Sequence, residues 1–262
     1  MNRVPGPDFD PMTGAPVYLA PARALRPRGH GAAADCPFCA GHDSWTPPET
    51  FAIRSGPGSH EWRLRIFPNR YPAATGANGR HEVSVPSPEH KTSLIELSEA
   101  EFETLLGAYR DRLKQIFAEG PAWKTVVVFH NQGEAGGASQ DHVHGQILAL
   151  PVVPPRLAAK FEATKDAGPA FPEATDRELR ECAQALRRLL VALEAVLPGA
   201  AYNLVLQTAA PGAETDLTPQ GFCWHWELLP RVSGIAGLEL GAGVWLNELP
   251  APESAAGLRR GF

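Results

Sequence analysis

The chain has 262 residues, of which 44% are apolar and 20% are charged, and its formal net charge is −5. A chain of this length and composition can bury a full hydrophobic core, as one large domain or two small ones, and falls in the ordinary globular class. The acidic balance argues against a general nucleic-acid-binding protein, which would carry a basic face.

The N-terminal segment, residues 1–34, is rich in Pro, Gly, Ala and Arg. Its start has no apolar h-region, and no apolar run in the chain is long enough to span a bilayer. We therefore expect a cytoplasmic protein without a membrane partner. Arg23, Arg26 and Arg28 cluster before the first cysteine, and by themselves they indicate a solvated basic loop.

Cys36 and Cys39 form a C-x-x-C pattern, which is compatible with a zinc site, a redox pair or two buried thiols. Glycine and proline follow it, in place of the helix that a thioredoxin-like redox pair would open. Structural zinc needs four protein ligands, so two more would have to come from elsewhere in the chain. His90 and His142 are the candidates.

Two strands and a helix are predicted next. Residues 61–68 alternate as in a half-buried strand, and Asn69 follows in a turn-like stretch, where Asn is common for local reasons. Residues 81–85 form a second predicted strand. Over residues 98–119 the apolar side chains recur at helical spacing, and a serine with a glutamate three positions later forms a capping box at the start.

The segment 126–155 carries the densest set of reactive side chains. A short apolar run predicts a buried strand, a glycine-rich turn follows, and a second apolar run begins after His142-Val143-His144-Gly145-Gln146. On an extended backbone His142, His144 and Gln146 would share one face. Glycines let backbone N–H groups approach phosphate, and a nearby imidazole can attack phosphorus. The two histidines alone would equally fit a hydrogen-bonded pair on a strand.

The C-terminal part begins with a Pro- and Ala-rich linker over residues 151–174. A second capped helix starts at Thr175, and residues 202–207 and 222–229 are predicted strands. His225 and Glu227 share one face of the last of these strands. A lone His beside a Glu is more often a hydrogen-bonded pair than a ligand set, so we predict no second metal there.

The run FHNQGEAGGASQDHVHGQI resembles the active-site segment of the galactose-1-phosphate uridylyltransferase family, in the histidine-triad superfamily. The segments DPMTGAPVYLAPARALRP and PSPEH, and the C-terminal part, are similar to the same family. The resemblance implies a Zn²⁺ ion bound by Cys36, Cys39, His90 and His142. It implies His144 as the catalytic nucleophile, with Gln146 and Ser139 stabilising phosphoryl charge. It also implies substrate contacts from Arg23, Arg26, Asn69, Asn131 and Gly137.

The fold implied is α+β, with a histidine-triad-like antiparallel sheet and helices packed on one side. Two related modules of unequal size are expected, a catalytic and zinc module at residues 1–155 and a shortened second copy at residues 156–262. The smaller module would lean on the first or on a second subunit, and we expect a homodimer.

The activity implied is transfer of a nucleotide between a nucleoside diphosphate sugar and a sugar 1-phosphate through a nucleotidyl-histidine. UDP-glucose–hexose-1-phosphate uridylyltransferase is the leading form. An ADP-sugar or dinucleotide phosphorylase or adenylyltransferase of the same superfamily fits the motif nearly as well. A histidine-triad hydrolase would favour a third histidine at position 146, and a non-enzymatic zinc-stabilised binding module would make no use of His144.

Overall fold

The computed structural model describes residues 7–26, 33–120, 122–163, 168–211, 222–247 and 249–261. The strands are β1 (Asp8–Phe9), β2 (Pro16–Val17), β3 (Phe51–Arg54), β4 (Trp62–Pro68), β5 (Arg80–Val85), β6 (Thr125–Gln132), β7 (Gly145–Leu150), β8 (Tyr202–Gln207) and β9 (His225–Pro230). The helices are α1 (Glu99–Ala118), α2 (Pro155–Ala163), α3 (Asp176–Val196), α4 (Gly237–Ala242) and α5 (Ala251–Arg260). Within the described ranges, no helix has the length and apolar character needed to cross a membrane.

Seven of the strands form one antiparallel sheet in the order β3-β4-β5-β7-β6-β8-β9, while β1 and β2 pair separately. The strand that follows the His-x-His motif, β7, therefore lies in the middle, between β5 and β6. The C-terminal strands continue the same sheet, since β8 pairs with β6 and brings Asn203 opposite Asn131. The α+β class with an antiparallel sheet is confirmed. The division into modules at residue 155 stays a prediction.

Helices α1 and α3 pack on each other and on one face of the sheet. Both begin as predicted, with Ser98 and Thr175 accepting from the N3 backbone and a glutamate reaching back to each cap. The apolar stripe of α1 is fully buried at Phe102, Leu105 and Leu113. Each such side chain contributes about 1.5–3 kcal/mol by leaving water, and all three belong to the main hydrophobic core between the helices and the sheet.

The other face of the sheet carries a smaller cluster that contains Cys36, Phe38, Phe67 and Val83. Alternation along β5 divides its side chains between the two faces. Glu82 points to the helices, where the Arg112 guanidinium donates to both of its carboxylate oxygens at 2.6 and 2.8 Å. Val83 points the other way, into the smaller cluster. The candidate site is built on this second face.

Three details differ from the sequence prediction. Arg65, expected on the solvated side of a half-buried strand, is 2% exposed, because Asp43 and Glu49 on the preceding loop pair with its guanidinium. The predicted linker contains α2, whose Phe161 packs against Phe222 with ring centroids 4.5 Å apart. The last strand starts at His225 rather than at Phe222.

Candidate active site and metal centre

Four side chains from three separate segments meet in one cluster. Cys36, Cys39, His90 and His142 each offer a ligand atom, and all four atoms lie within 4.8 Å of one another. The Nδ1 atom of His142 lies 3.5 Å from the Cys36 sulfur and 3.6 Å from the Cys39 sulfur. The Nδ1 atom of His90 lies 3.3 Å from the Cys39 sulfur. The ligand set expected from the sequence is therefore assembled in space.

The spacing of these atoms fits a tetrahedral metal ion. In a tetrahedral zinc site, bond lengths near 2.3 Å to sulfur and 2.0–2.1 Å to nitrogen place sulfur and nitrogen about 3.5 Å apart. The other ring nitrogen of His142 donates to the Ser87 carbonyl at 3.0 Å, as metal-binding histidines commonly do. Burial lowers the pKa of His142 to about 4, so the ring is neutral and able to bind a cation.

His144 follows directly and has one ring nitrogen fixed by the backbone. Its Nδ1 atom lies 2.8 Å from the carbonyl oxygen of His142. A carbonyl oxygen can only accept, so Nδ1 carries the proton and Nε2 keeps its lone pair. Burial lowers the pKa of His144, and the charge of Arg26 lowers it further. The residue thus presents a neutral imidazole with a defined tautomer.

A cavity of about 680 Å³ lies over this motif. Phe38 and Phe67 form part of its wall, and the Phe38 ring centroid is 5.3 Å from that of His144. Eight of the residues predicted from the sequence line it, namely Arg26, Cys36, Asn69, His90, Ser139, His142, His144 and Gln146. The volume and the mixture of aromatic walls with few polar groups suit a small-molecule ligand.

Arg23, a predicted substrate contact, does not line this cavity, and its contact with substrate stays a prediction. Its Nη1 donates to the Tyr71 carbonyl at 2.9 Å, so this arginine braces the loop that also carries Asn69. Asn69 in turn accepts from the Tyr71 N–H at 2.8 Å. The loop is held from both sides, next to the cavity that Tyr71 and Asn69 line.

The glycine loop is folded back on itself. The N–H groups of residues 136, 137 and 138 donate to carbonyls of Gly133 and Glu134 within the loop, so they are not free to cradle a phosphate as the sequence suggested. A Cβ at Gly136 would lie 2.8 Å from the Tyr202 carbonyl oxygen. Glycine is therefore required there for close packing on β8.

Asn131 lines a second cavity of about 310 Å³ that shares His142 and His144 with the first. Its Oδ1 accepts from the Asn203 amide at 2.9 Å, and the same amide donates to the Gly136 carbonyl at 2.7 Å. Arg231 donates to Asn203 Oδ1 at 3.2 Å, which fixes the amide orientation. The NH₂ of Asn131 is thereby left near Gly137, 3.7 Å from where a Cβ would stand.

The sequence prediction missed three kinds of contributor. The aromatic wall includes Phe38 and Trp45, whose loop position gave no periodic signal. Asn203 acts across a strand pairing that no local pattern reveals. His81 lies behind Gln146, with its Nε2 at 2.9 Å from Gln146 Oε1. One signal was available. His81 and Val83 are two positions apart on β5, so their side chains share one face of the strand.

His225 and Glu227 lie on one face of β9, as expected. The Glu227 carboxylate accepts from Lys160 at 2.5 and 2.6 Å and from Gln207 at 2.8 Å. The His225 ring nitrogen is 4.0 Å from that carboxylate. The carboxylate oxygens of Glu227 are thus bound by the Lys160 ammonium group and the Gln207 amide.

Comparison with known proteins adds independent information. Residues 64–154 match the family model described as galactose-1-phosphate uridyl transferase, N-terminal domain. An ADP-glucose phosphorylase from Arabidopsis thaliana is 26% identical over 99% of this chain and 93% of its own length. A galactose-1-phosphate uridylyltransferase from Streptomyces lividans is 32% identical over 65% of this chain, which spans only 46% of that relative.

The solved structure of the Arabidopsis thaliana ADP-glucose phosphorylase with bound ADP-glucose superposes with a TM-score of 0.76, at 27% identity over 98% of both chains. Fold and sequence therefore agree over the strands that carry the site. The resemblance seen in the sequence is confirmed: this chain has the fold of the galactose-1-phosphate uridylyltransferase-like proteins of the histidine-triad superfamily, with that family's N-terminal signature at residues 64–154.

Proposed function

We propose that the protein is a nucleotidyltransferase that works through a nucleotidyl-His144 intermediate. The observation that carries this proposal is the 2.8 Å hydrogen bond from Nδ1 of His144 to the His142 carbonyl. It leaves Nε2 unprotonated in a cavity wall, and burial keeps the ring neutral at neutral pH. A neutral, oriented imidazole is the form that attacks phosphorus.

The reaction needs no strong acid. Nε2 attacks the α-phosphorus of a nucleoside diphosphate sugar, the P–N bond forms, and the bond to the bridging oxygen breaks. The sugar 1-phosphate leaves with that electron pair as a phosphate dianion. A phosphate oxygen of the acceptor then attacks the same phosphorus and returns the lone pair to Nε2. Ser139, Gln146 and the charge of Arg26 stabilise the phosphoryl oxygens.

We propose Zn²⁺ as the ion for the cluster of two cysteines and two histidines. With four protein ligands such a site is closed, so the ion supplies folding free energy and holds the His142 segment in place. The reactive side chain is His144, outside the ligand set.

Two substrate pairs compete. The sequence motif favours UDP-glucose with a hexose 1-phosphate, as in the uridylyltransferase family. The second candidate is an ADP-sugar phosphorylase, in which orthophosphate accepts the nucleotide. The match to an ADP-glucose phosphorylase over 93% of its length, against 46% of the Streptomyces lividans uridylyltransferase, favours this second pair. The homodimer also stays a proposal, which sedimentation of the purified protein would test.

The test is nucleotide transfer in two half-reactions. The protein is mixed with UDP-glucose or ADP-glucose labelled in the α-phosphate, without acceptor, and an acid-labile labelled protein is expected with one of them. Galactose 1-phosphate or orthophosphate is then added to the isolated labelled protein, and the one that discharges it names the acceptor.

The matched control is His144→Asn, which keeps a donor for the His142 carbonyl and removes the nucleophilic nitrogen. Labelling should fall by about 10³-fold or more. Labelling of the variant at the wild-type rate would rule out the covalent route through this residue.

A further inference from the structure

Gln146 could offer the cavity either its carbonyl oxygen or its NH₂ group, and the two have opposite consequences for a phosphate. An oxygen would repel the phosphoryl oxygens, whereas the NH₂ would donate to them. Gln146 is 6% exposed and lines the cavity beside His144. The group that faces the substrate depends on what holds the side chain from behind.

His81 on β5 decides this orientation. The backbone N–H of Ala73 lies 2.9 Å from His81 Nδ1, and a backbone N–H can only donate. Nδ1 must therefore be the acceptor, so the proton of the neutral ring is on Nε2. Burial, with smaller contributions from the charges of Arg23 and Arg26, lowers the pKa of His81 to about 4. The ring is neutral under ordinary conditions, and its tautomer is fixed by the main chain.

The Nε2–H group of His81 then donates to Gln146 Oε1, 2.9 Å away. The Asn69 Nδ2 atom also lies 3.3 Å from Nε2, and because an NH₂ group cannot accept, the Nε2 proton is directed to the closer oxygen of Gln146. The carbonyl oxygen of Gln146 is thus engaged behind the cavity wall, and its NH₂ is the part left for a ligand. Asn131 shows the same arrangement at the other side of His144, where Asn203 engages the oxygen. Two amide donors are oriented by partners that do not themselves line the large cavity.

We propose that His81 is a positioning residue for nucleotidyl transfer, holding the Gln146 amide so that its NH₂ donates to the phosphoryl oxygens as charge builds on them. This role rests on the proposed function. His81 is 4% exposed and does not line the main cavity, so it acts through Gln146. A fixed donor costs no reorganisation during the reaction, which is why positioning of this kind lowers the barrier.

Two substitutions separate positioning from mere support of the loop. His81→Asn places an amide oxygen near the former Nδ1 and can still accept from Ala73, but it no longer reaches Gln146. His81→Gln extends an amide toward Gln146 and loses the acceptor for Ala73. We expect nucleotidylation by the labelled substrate to slow roughly tenfold or more in His81→Asn, with KM little changed, and to be largely retained in His81→Gln.

The double variant with Gln146→Ala provides the second readout. When Gln146 is already absent, His81→Asn should cause no further loss, since the two residues act as one unit. An undiminished loss in that background, or a wild-type rate in His81→Asn alone, would overturn the role while leaving the proposed function intact. A wild-type protein that is never labelled would overturn both.

Nitrogen NMR of the His81 ring tests the inference without any activity. The wild type should show the neutral Nε2–H tautomer. A proton on Nδ1 would overturn the orientation of Gln146 regardless of the kinetics.

Discussion

His142 supplies a ring nitrogen to the cysteine cluster, and its carbonyl oxygen holds the ring of His144 at 2.8 Å. One residue therefore belongs to both the proposed metal centre and the proposed reactive centre. The orientation of the proposed nucleophile, His144, depends on the backbone of a proposed metal ligand, His142. A substitution that moves one of these side chains should therefore affect the other. This relationship shapes the first prediction.

Removing one metal ligand should cost stability first and activity second. We expect one zinc ion per chain in the purified protein by metal analysis. Cys36→Ser should lose most of it, because a hydroxyl is a poor ligand for this ion. The Tm should fall by more than about 5 °C, since 1 kcal/mol corresponds to about 2–4 °C in a protein of this size.

Cys182→Ser is the matched control for this substitution. Cys182 is partly buried on α3 and lies outside the cluster, so its loss should leave the zinc content unchanged. A protein without zinc, or one with a native disulfide between Cys36 and Cys39, would contradict the metal assignment.

Gly145 should tolerate no side chain. It lies between His144 and Gln146, and a Cβ there would stand 2.7 Å from both His130 Nε2 and Ser84 Oγ, and closer still to the Tyr109 hydroxyl. Gly145→Ala should destabilise the protein by about 1–3 kcal/mol, as overpacking of a core does, and should displace both neighbouring residues from the cavity. Urea denaturation and nucleotidylation rates measure the two effects.

Gly107→Ala is the control for this substitution, because the same change from glycine to alanine should stabilise the protein there. Gly107 lies inside α1, and a Cβ there meets nothing within 4 Å. The substitution should stabilise the protein by up to about 1 kcal/mol through helix propensity. Equal effects of the two alanines would show that the space beneath Gly145 is not filled as described.

Gln146→His should turn slow hydrolysis on. An amide cannot give or take a proton near neutral pH, whereas an imidazole can activate water. We expect the isolated nucleotidyl-enzyme to hydrolyse faster, by about 10²-fold or more, since positioned acid–base groups typically contribute about 10²–10⁴-fold. Its lifetime in water is the measurement, with Gln146→Met as the control of similar length. An unchanged lifetime would mean that exclusion of water protects the intermediate.

Stability should fall as the pH is lowered from about 6.5 to 4, in part because of His81. Burial first, then the charges of Arg23 and Arg26, lower its pKa to about 4, while the Gln146 hydrogen bond acts in the other direction. The unfolded chain, with a pKa near 6.5, binds the proton in this window and the folded chain does not. Stability is therefore highest above pH 6.5 and declines toward pH 4.

The free energy of unfolding of His81→Gln, measured by urea denaturation, should depend less steeply on pH in this window than that of the wild type. The difference in slope should be up to roughly 1.4 kcal/mol per pH unit for one proton. His60→Gln is the control, because His60 is exposed. A pH dependence identical to that of the wild type would mean that His81 is not buried in its neutral form.

Local patterns predicted much of the frame. The capping boxes at Ser98 and Thr175 predicted the starts of both long helices to within a residue, because caps depend on side chains three positions apart. Strand β8 was predicted with its observed bounds. The four candidate metal ligands could not be found from local pattern alone, and the resemblance brought together residues that are up to 106 positions apart.

What failed depended on pairing between distant segments. Nothing near Asn131 in the chain shows that Asn203 will lie opposite it. Nothing near Arg65 shows that Asp43 will neutralise it and allow burial. The glycine loop was interpreted as a phosphate cradle because glycine permits close approach, whereas these glycines serve the loop's own turns and its packing on β8.

The place of β8 beside β6 has a consequence for any attempt to isolate the N-terminal part of the chain. A fragment of residues 1–155 would leave one side of β6 as an open edge, with the backbone groups that now pair with residues 202–206 unpaired. Val128, which is now fully buried, would lose its partner Leu206 on β8. Such an edge recruits strands from other molecules. The C-terminal part therefore protects the edge of β6 from pairing with other molecules. We expect the fragment to aggregate under conditions in which the whole chain stays in solution.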